Sequence, residues 1–436
     1  MKTDLRKLKS DYKTAKKAYK RARRKNVSGW KFLGIFTTVL SLVLAGVTAF
    51  LNMFDNTIAA FVGGSFHELV GADEEATYFK SDFESAKALV DAGEKVCYDV
   101  EAEGAALLKN NGALPLVAGS KVSTLSSSSV DLVYGGTGSG NVDASKAKNL
   151  KDSLESALGK NTVNPTLWDF YLNGDGKAYR RSAAEGESAV LAGHASIREV
   201  PKDTYPQSVI DSFAGYGDAA IITLSRVGGE GYDCNTHAIA AENETNKNYL
   251  ALSKEEKEMF ELAEENFDKI IVLLNTSNPL QLDFLHNCDV DAVLWVGGLG
   301  SMGTEAVADI LAGKVNPSGS LVDTYLYDNY SAPAMQNFKA LTYEGDVSKI
   351  PSNASTYMVY LEGIYVGYKY YETRYEDKVM NVANVGDFNY TEEVAYPFGY
   401  GLSYSTFEYS DFQIVDKGTT IDVSLKVTNK SKEWDG

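Results

Sequence analysis

The stretch "DAAIITLSRVGGEGYD", Asp218–Asp233, decides the fold. Its first half is a short apolar run closed by paired glycines, which reads as a strand covered on both faces, as in a parallel sheet. Glu230, set between Gly229 and Gly231, then falls at the carboxyl end of that strand. Open α/β sheets gather their ligands at that edge, on loops that the scaffold positions. A solvated turn residue is the plainer reading of one carboxylate in a loop, so the rest of the chain must decide.

Working outward, similar runs recur as "KVSTLS" at 121–126, "VDLVYG" at 130–135, "KIIVLLN" at 269–275 and "VDAVLWVG" at 290–297. Helical patterns lie between or after them, at Ala144–Leu158, Ser253–Asn266, Pro279–Leu285 and Met302–Ala312. The stretch "FESAKALVDAGEKVCYDVEAEGAALLKNNGALPL" carries helical spacing to Leu108 before Asn110, Gly112 and Pro115 stop it. Strand and helix in alternation predict an α/β fold with a doubly wound, mostly parallel sheet. From Ser331 to Asp377 the chain is aromatic and turn-rich, which predicts hairpins and long loops. "IDVSLKV" near the end alternates with period 2 and predicts the opening of a β-sandwich, so the sequence is expected to continue past Gly436.

The amino end differs in kind. Residues 1–31 hold 13 Lys and Arg against 2 Asp and Glu, while the whole chain carries a net charge of −17. Phe32–Leu51 contains no charge and its 20 residues suit a bilayer core of roughly 30 Å. The expected organisation is a basic cytoplasmic segment at 1–31, a transmembrane anchor at 32–53 and a linker at 54–80. A folded domain at 81–410 comes next, and the start of a second domain at 411–436. The positive-inside rule places the bulk of the chain outside the cell, held at the cell membrane by one span, and residues 1–25 along anionic headgroups. A cleaved signal peptide is the competing reading, but the apolar run is long and no A-x-A stands after it.

An acidic body excludes a nucleic-acid surface. Cys97, Cys234 and Cys288 are widely spaced without a CxxC, and His194 and His237 lie in no metal-binding pattern, so neither a zinc site nor a disulfide framework is indicated. No metal or organic cofactor is implied. "YGGTGSGNV" at 134–142 lacks the GxGxxG spacing and a P-loop lysine, and reads as a structural turn or a sugar-facing loop rather than a phosphate cradle.

Five stretches taken together, "EGAALLKNNGALPL", "SRVGGEGYD", "GTEAVADILAGKVNPSGSL", "IYVGYKYYETRYED" and "YPFGYGLSYSTFEYSDF", resemble glycoside hydrolase family 3 in the order of its α/β sandwich domain. Residues 411–436 resemble the opening of that family's fibronectin type III-like domain. In many β-glucosidase-type members the acid/base glutamate stands in an "EGxD" context, which here matches Glu230, Gly231, Tyr232 and Asp233. The resemblance implies Glu230 as the catalytic acid/base, with Arg226, Tyr232 and Asp233 as substrate-binding candidates; an Arg226–Asp233 pair that stiffens the loop stays open beside sugar contact. Glu242 and Glu244 read as solvated, Glu305 as a carboxylate offsetting a helix dipole, and the tyrosines of 365–375 as interface packing.

In the usual family order a (β/α)₈ barrel comes first and supplies an aspartate nucleophile from a motif like "SDW". No such motif occurs between Met1 and Gly436. The chain resembles the front half of domain-permuted bacterial members, with the barrel expected downstream. The implied activity is retaining hydrolysis of terminal non-reducing β-D-glucosidic bonds, with a carbohydrate as substrate. The alternative is a catalytically inert, membrane-anchored carbohydrate-binding or scaffold protein.

Overall fold

The computed structural model describes residues 2–53, 81–136, 140–181, 197–229, 249–338, 341–343, 356–382 and 386–431. Contacts divide the chain into two units, Met1–Asp82 and Phe83–Gly436. Among its described residues the first holds the helix α1 (Lys2–Met53), which contains a window long and apolar enough to cross a membrane.

The second unit is built on a five-stranded sheet. Its strands are β1 (Ala106–Asn110), β2 (Val122–Leu125), β3 (Ala219–Arg226), β4 (Ile270–Thr276) and β5 (Ala292–Trp295). They lie in the order β1-β5-β4-β3-β2, with β2 to β5 mutually parallel and β1 antiparallel on β5. Every residue of β2, β3 and β4 is buried, which explains the near-continuous apolar runs.

Because side chains alternate across a strand, the sheet feeds two cores. Ala220, Ile222 and Leu224 with Val272 and Leu274 pack under α4 (Pro165–Leu172), α5 (Gln207–Ser212) and α6 (Lys254–Glu264). Ile221, Ile271, Leu273 and Leu294 pack on the other face, under α3 (Leu150–Leu158) and α7 (Gly303–Leu311), and α2 (Ala86–Gly104) lies against α7. The doubly wound arrangement is therefore present, as a mixed sheet with one antiparallel edge.

Three local expectations are corrected. The helical pattern expected to reach Leu108 ends at Gly104, and Ala106–Asn110 forms β1 instead. Leu107 and Leu108 are buried in opposite cores, a requirement that a strand meets and one helix face does not. Val130–Gly135 is not a strand, because the N–H and C=O of Val133 both bond the side chain of Asn275. Pro279–Leu285 is irregular, with a single 3₁₀ turn at Asp283–His286.

Beyond α7 the chain adds small pieces to this frame. β6 (Tyr325–Leu326) pairs with β9 (Val394–Tyr396), and β7 (Leu341–Thr342) with β8 (Thr356–Tyr357). Helices α8 (Pro333–Asn337), α9 (Tyr368–Met380) and α10 (Tyr390–Glu393) lie among them. Tyr371 is buried with Leu326, Phe388 and Val394, and Tyr368 stacks on Phe398 at 4.5 Å, so part of the tyrosine-rich stretch packs within the domain. The last elements, β10 (Phe407–Asp416) and β11 (Ile421–Asn429), form one antiparallel hairpin that is exposed on both faces.

Backbone crossings leave no room for side chains at two glycines of this frame. A Cβ on Gly401 would stand 2.1 Å from the carbonyl oxygen of Gly319, and one on Gly319 would stand 2.4 Å from that of Gly104. Gly401→Ala is expected to destabilise the domain by ~2–4 kcal/mol, since only backbone shifts relieve the overlap. Gly93, inside α2 with nothing within 4 Å of a Cβ, carries the opposite sign. Gly93→Ala is expected to stabilise by ~0.5–1 kcal/mol through helix propensity. Denaturant melts of the two variants check both; equal effects would contradict the crossing.

Candidate functional site

The carboxyl ends of β2 to β5 meet in one crevice, and a single buried amide organises it. Asn275, on β4 and 0 % exposed, accepts from the Ser225 hydroxyl and the Val133 N–H, each at 2.7 Å. Its Nδ2 donates to the carbonyls of Val133 at 2.8 Å and Gly297 at 2.6 Å. All four hydrogen-bonding capacities of the amide are used. The end of β3 and the loops after β2 and β5 are thus tied to the central strand.

The loop that leaves β3 runs through a narrow passage. A Cβ on Gly136 would stand 3.1 Å from the Gly228 carbonyl, and one on Gly228 would stand 2.3 Å from the Asn278 Oδ1. Both glycines therefore serve close backbone approach. Gly135 is crowded as well, since a Cβ there would stand 2.5 Å from the Gly140 carbonyl.

Arg226, the last residue of β3, is 2 % exposed and fully engaged. Its Nη1 and Nη2 donate to Glu256 Oε1 and Oε2 at 2.7 and 2.8 Å, a bidentate buried ion pair. Its Nε donates to the Tyr249 carbonyl at 2.7 Å, and Nη2 also donates to the Ala251 carbonyl at 2.9 Å. The Tyr249 hydroxyl accepts from the Val227 N–H at 2.8 Å and donates to the Val227 carbonyl at 3.2 Å. Glu256 is the third residue of α6, where Ser253 and Glu256 form a reciprocal capping box. One cluster therefore closes the neck of the excursion between Val227 and Tyr249, and fastens it to the start of α6.

Of the residues expected to act, only Arg226 lies within the described residues. It is buried at the end of β3, with Glu256 as its ionic partner. Glu230, Tyr232 and Asp233 lie outside the described residues, as do Glu242, Glu244, Cys234, His194, His237 and the linker 54–80. In the sequence Glu230 directly follows Gly229, the last described residue of that loop. Glu305 stands in the first turn of α7, where the helix dipole favours it, and pairs with Lys148 at 3.1 Å.

Two buried carboxyls escaped the sequence reading. Glu199 accepts from the Ser126 hydroxyl at 2.6 Å and the Ser127 and Val200 N–H groups, and so holds the turn after β2, where Ser126 takes a φ of 88°. Burial pushes its carboxyl up to about 7 against these three donors. Glu101 on α2 faces Gly303 at the start of α7, and its Oε1 has no hydrogen-bond partner among the described residues. Burial, then the neighbouring Cys97, pushes it up to about 8. No local pattern marks a lone glutamate in "REVPKD" or in a helix; only the packing reveals them.

The fold and this crevice define a doubly wound α/β domain whose strand ends are tied together by buried polar side chains. The chain belongs to glycoside hydrolase family 3: residues 105–368 match the Glycosyl hydrolase family 3 C-terminal domain. It is similar to Beta-glucosidase A of Butyrivibrio fibrisolvens, 32% identical over 71% of this chain and 35% of that protein. It is equally similar to Beta-glucosidase of Ruminococcus albus, 32% identical over 75% of this chain and 30% of that protein. Among solved structures, beta-glucosidase 3B from Thermotoga neapolitana in complex with alpha-D-glucose matches with a TM-score of 0.60 and 30% identity. That match covers 79% of this chain and 43% of that one. The chain spans about a third of the length of these curated relatives.

Two outcomes are expected from the buried charges. Glu256→Ala leaves Arg226 buried without its counter-ion and is expected to cost ~3–5 kcal/mol, whereas Arg226→Met with Glu256→Leu costs less than that single change. Urea unfolding of the three proteins checks this; a double variant no more stable than Glu256→Ala would contradict it. Glu101 and Glu199 hold their protons in the fold up to about 8 and 7, above the ordinary carboxyl value of 4.5. The folded state then binds more protons than the unfolded one, so stability falls as pH rises from about 4.5 to 8. Glu101→Gln is expected to gain little at pH 5 and on the order of 2 kcal/mol at pH 8. A pH-independent difference in melting would overturn that assignment.

Proposed function

We propose that this chain supplies the acid/base half of a retaining glycoside hydrolase that cleaves terminal β-D-glucosidic bonds. The observation that carries the reading is the family match over 105–368, with Glu230 in an "EGxD" context four residues after the end of β3 in the sequence. Glu230 acts first as acid, protonating the departing glycosidic oxygen, and then as base, taking a proton from the attacking water. The nucleophile is an aspartate of a (β/α)₈ barrel, whose carboxyl must come within about 5–5.5 Å of Glu230. The barrel surface that docks on the crevice excludes water from Glu230 and raises its proton affinity, as an acid at neutral pH requires.

In this reading Tyr232 and Asp233 contact the sugar, and Arg226 is a positioning residue that fixes the loop neck. Phe32–Leu51 anchors the protein in the cell membrane with the catalytic unit outside, and β10 and β11 open a fibronectin type III-like sandwich whose remaining strands cover their apolar faces. The sugar is a β-glucoside by analogy with the relatives' names.

Hydrolysis of aryl β-glucosides by the full-length gene product and its Glu230→Ala variant tests the reading. The variant is expected to lose about 10²–10⁴-fold in kcat on a poor leaving group, the span of general acid–base catalysis, and far less on an activated one. Azide, entering where water no longer finds a base, restores turnover of the activated substrate and yields the β-glucosyl azide. An intact protein inactive on a panel of aryl glycosides would replace this reading with the inert scaffold, and an unimpaired variant would remove Glu230 from the chemistry.

A further inference from the structure

Helix α1 runs unbroken from Lys2 to Met53, so the basic and apolar segments share one helix. Its side chains are solvent-exposed throughout the described part: Leu5, Leu8, Tyr12 and Tyr19 stand between 55 and 70% exposed. No described residue covers them. Their spacing is regular. Leu5, Leu8, Tyr12, Ala15, Tyr19, Ala22, Asn26 and Gly29 occupy alternating steps of three and four residues, the a and d positions of a heptad. The same phase continues through Leu33, Phe36, Leu40, Val43, Val47 and Phe50.

In residues 1–31, which hold 15 charged side chains, none falls on this seam. The charges obey the heptad too. The two acidic residues of the segment, Asp4 and Asp11, both fall at g, and the e positions five residues on are Lys9 and Lys16. In a parallel pair of helices a g residue meets the next e′ residue of its partner, so Asp4 faces Lys9 and Asp11 faces Lys16 across the seam. An antiparallel pair brings g against g′ and e against e′, which sets Asp on Asp and Lys on Lys. Among the described residues neither aspartate has an ion-pair partner within its own helix. The Lys16 ammonium lies 5.5 Å over the Tyr12 ring, so its stem already flanks the seam.

We propose that α1 is a homodimerisation element: two copies of this chain pair in parallel through the seam Leu5–Gly29, with Asp4–Lys9 and Asp11–Lys16 ion pairs setting the orientation. Most of the remaining lysines and arginines fall at b, c and f, point away from the seam and stay free for an anionic surface. The proposal concerns α1 alone and stands or falls independently of the glycosidase reading.

The test uses the full chain in mild detergent with a short bismaleimide crosslinker, the unsubstituted protein giving the background from its native cysteines. Ala15→Cys and Ala22→Cys are expected to give about ten-fold more crosslinked dimer than Lys17→Cys, because d positions face each other and f positions point outward. Asp4→Lys with Asp11→Lys is expected to lower the dimer fraction, and adding Lys9→Asp with Lys16→Asp to restore it. Equal crosslinking at positions 15, 17 and 22, or a monomer by sedimentation, overturns the proposal. So does a dimer indifferent to both charge reversals, which assigns the pairing to the apolar segment instead.

Discussion

The buried pair between Arg226 and Glu256 is the constraint on which the candidate site depends. A buried guanidinium is tolerable only where every donor finds an acceptor. Here Glu256 takes two donors and the Tyr249 and Ala251 carbonyls take others. Those carbonyls belong to the chain returning from the excursion, and the Tyr249 hydroxyl closes on Val227, where the excursion begins. Satisfying the charge and closing the loop are therefore the same act. Glu256 adds a third function, since its carboxylate completes the cap of α6.

Around this clasp the crevice is assembled from groups that a strand end would otherwise leave unmatched. Asn275 matches Val133 on both sides of its backbone, and Glu199 matches the turn after β2. These polar contacts replace ladder bonds where the sheet stops, so the loops diverge in fixed directions.

Much of the sheet was legible because two-sided burial writes itself as apolar runs, and the runs at 218–225, 269–275 and 290–297 became β3, β4 and β5. The failures share a cause. Val130–Gly135 has the composition of a strand, but its partner is the side chain of Asn275, more than a hundred residues away. Ala106–Asn110 comes directly after a helix, so its apolar residues extend the helical pattern by coincidence of phase. Close approach at Gly228 was legible in the glycines that follow β3, whereas the partnership of Arg226 with Glu256 and the burial of Glu101 and Glu199 exist only after folding. The resemblance left Arg226 open between sugar contact and loop stiffening; the packing pairs it with Glu256.

The most direct measurement is hydrogen exchange at the Val227 amide in the full chain. Val227 lies past the end of β3, and its N–H bonds the Tyr249 hydroxyl rather than a neighbouring strand. If the clasp closes the loop neck, that amide exchanges in the same slow class as the β4 amides, and Glu256→Gln accelerates it selectively. Exchange at the rate of an open loop in the unsubstituted protein would contradict a closed neck.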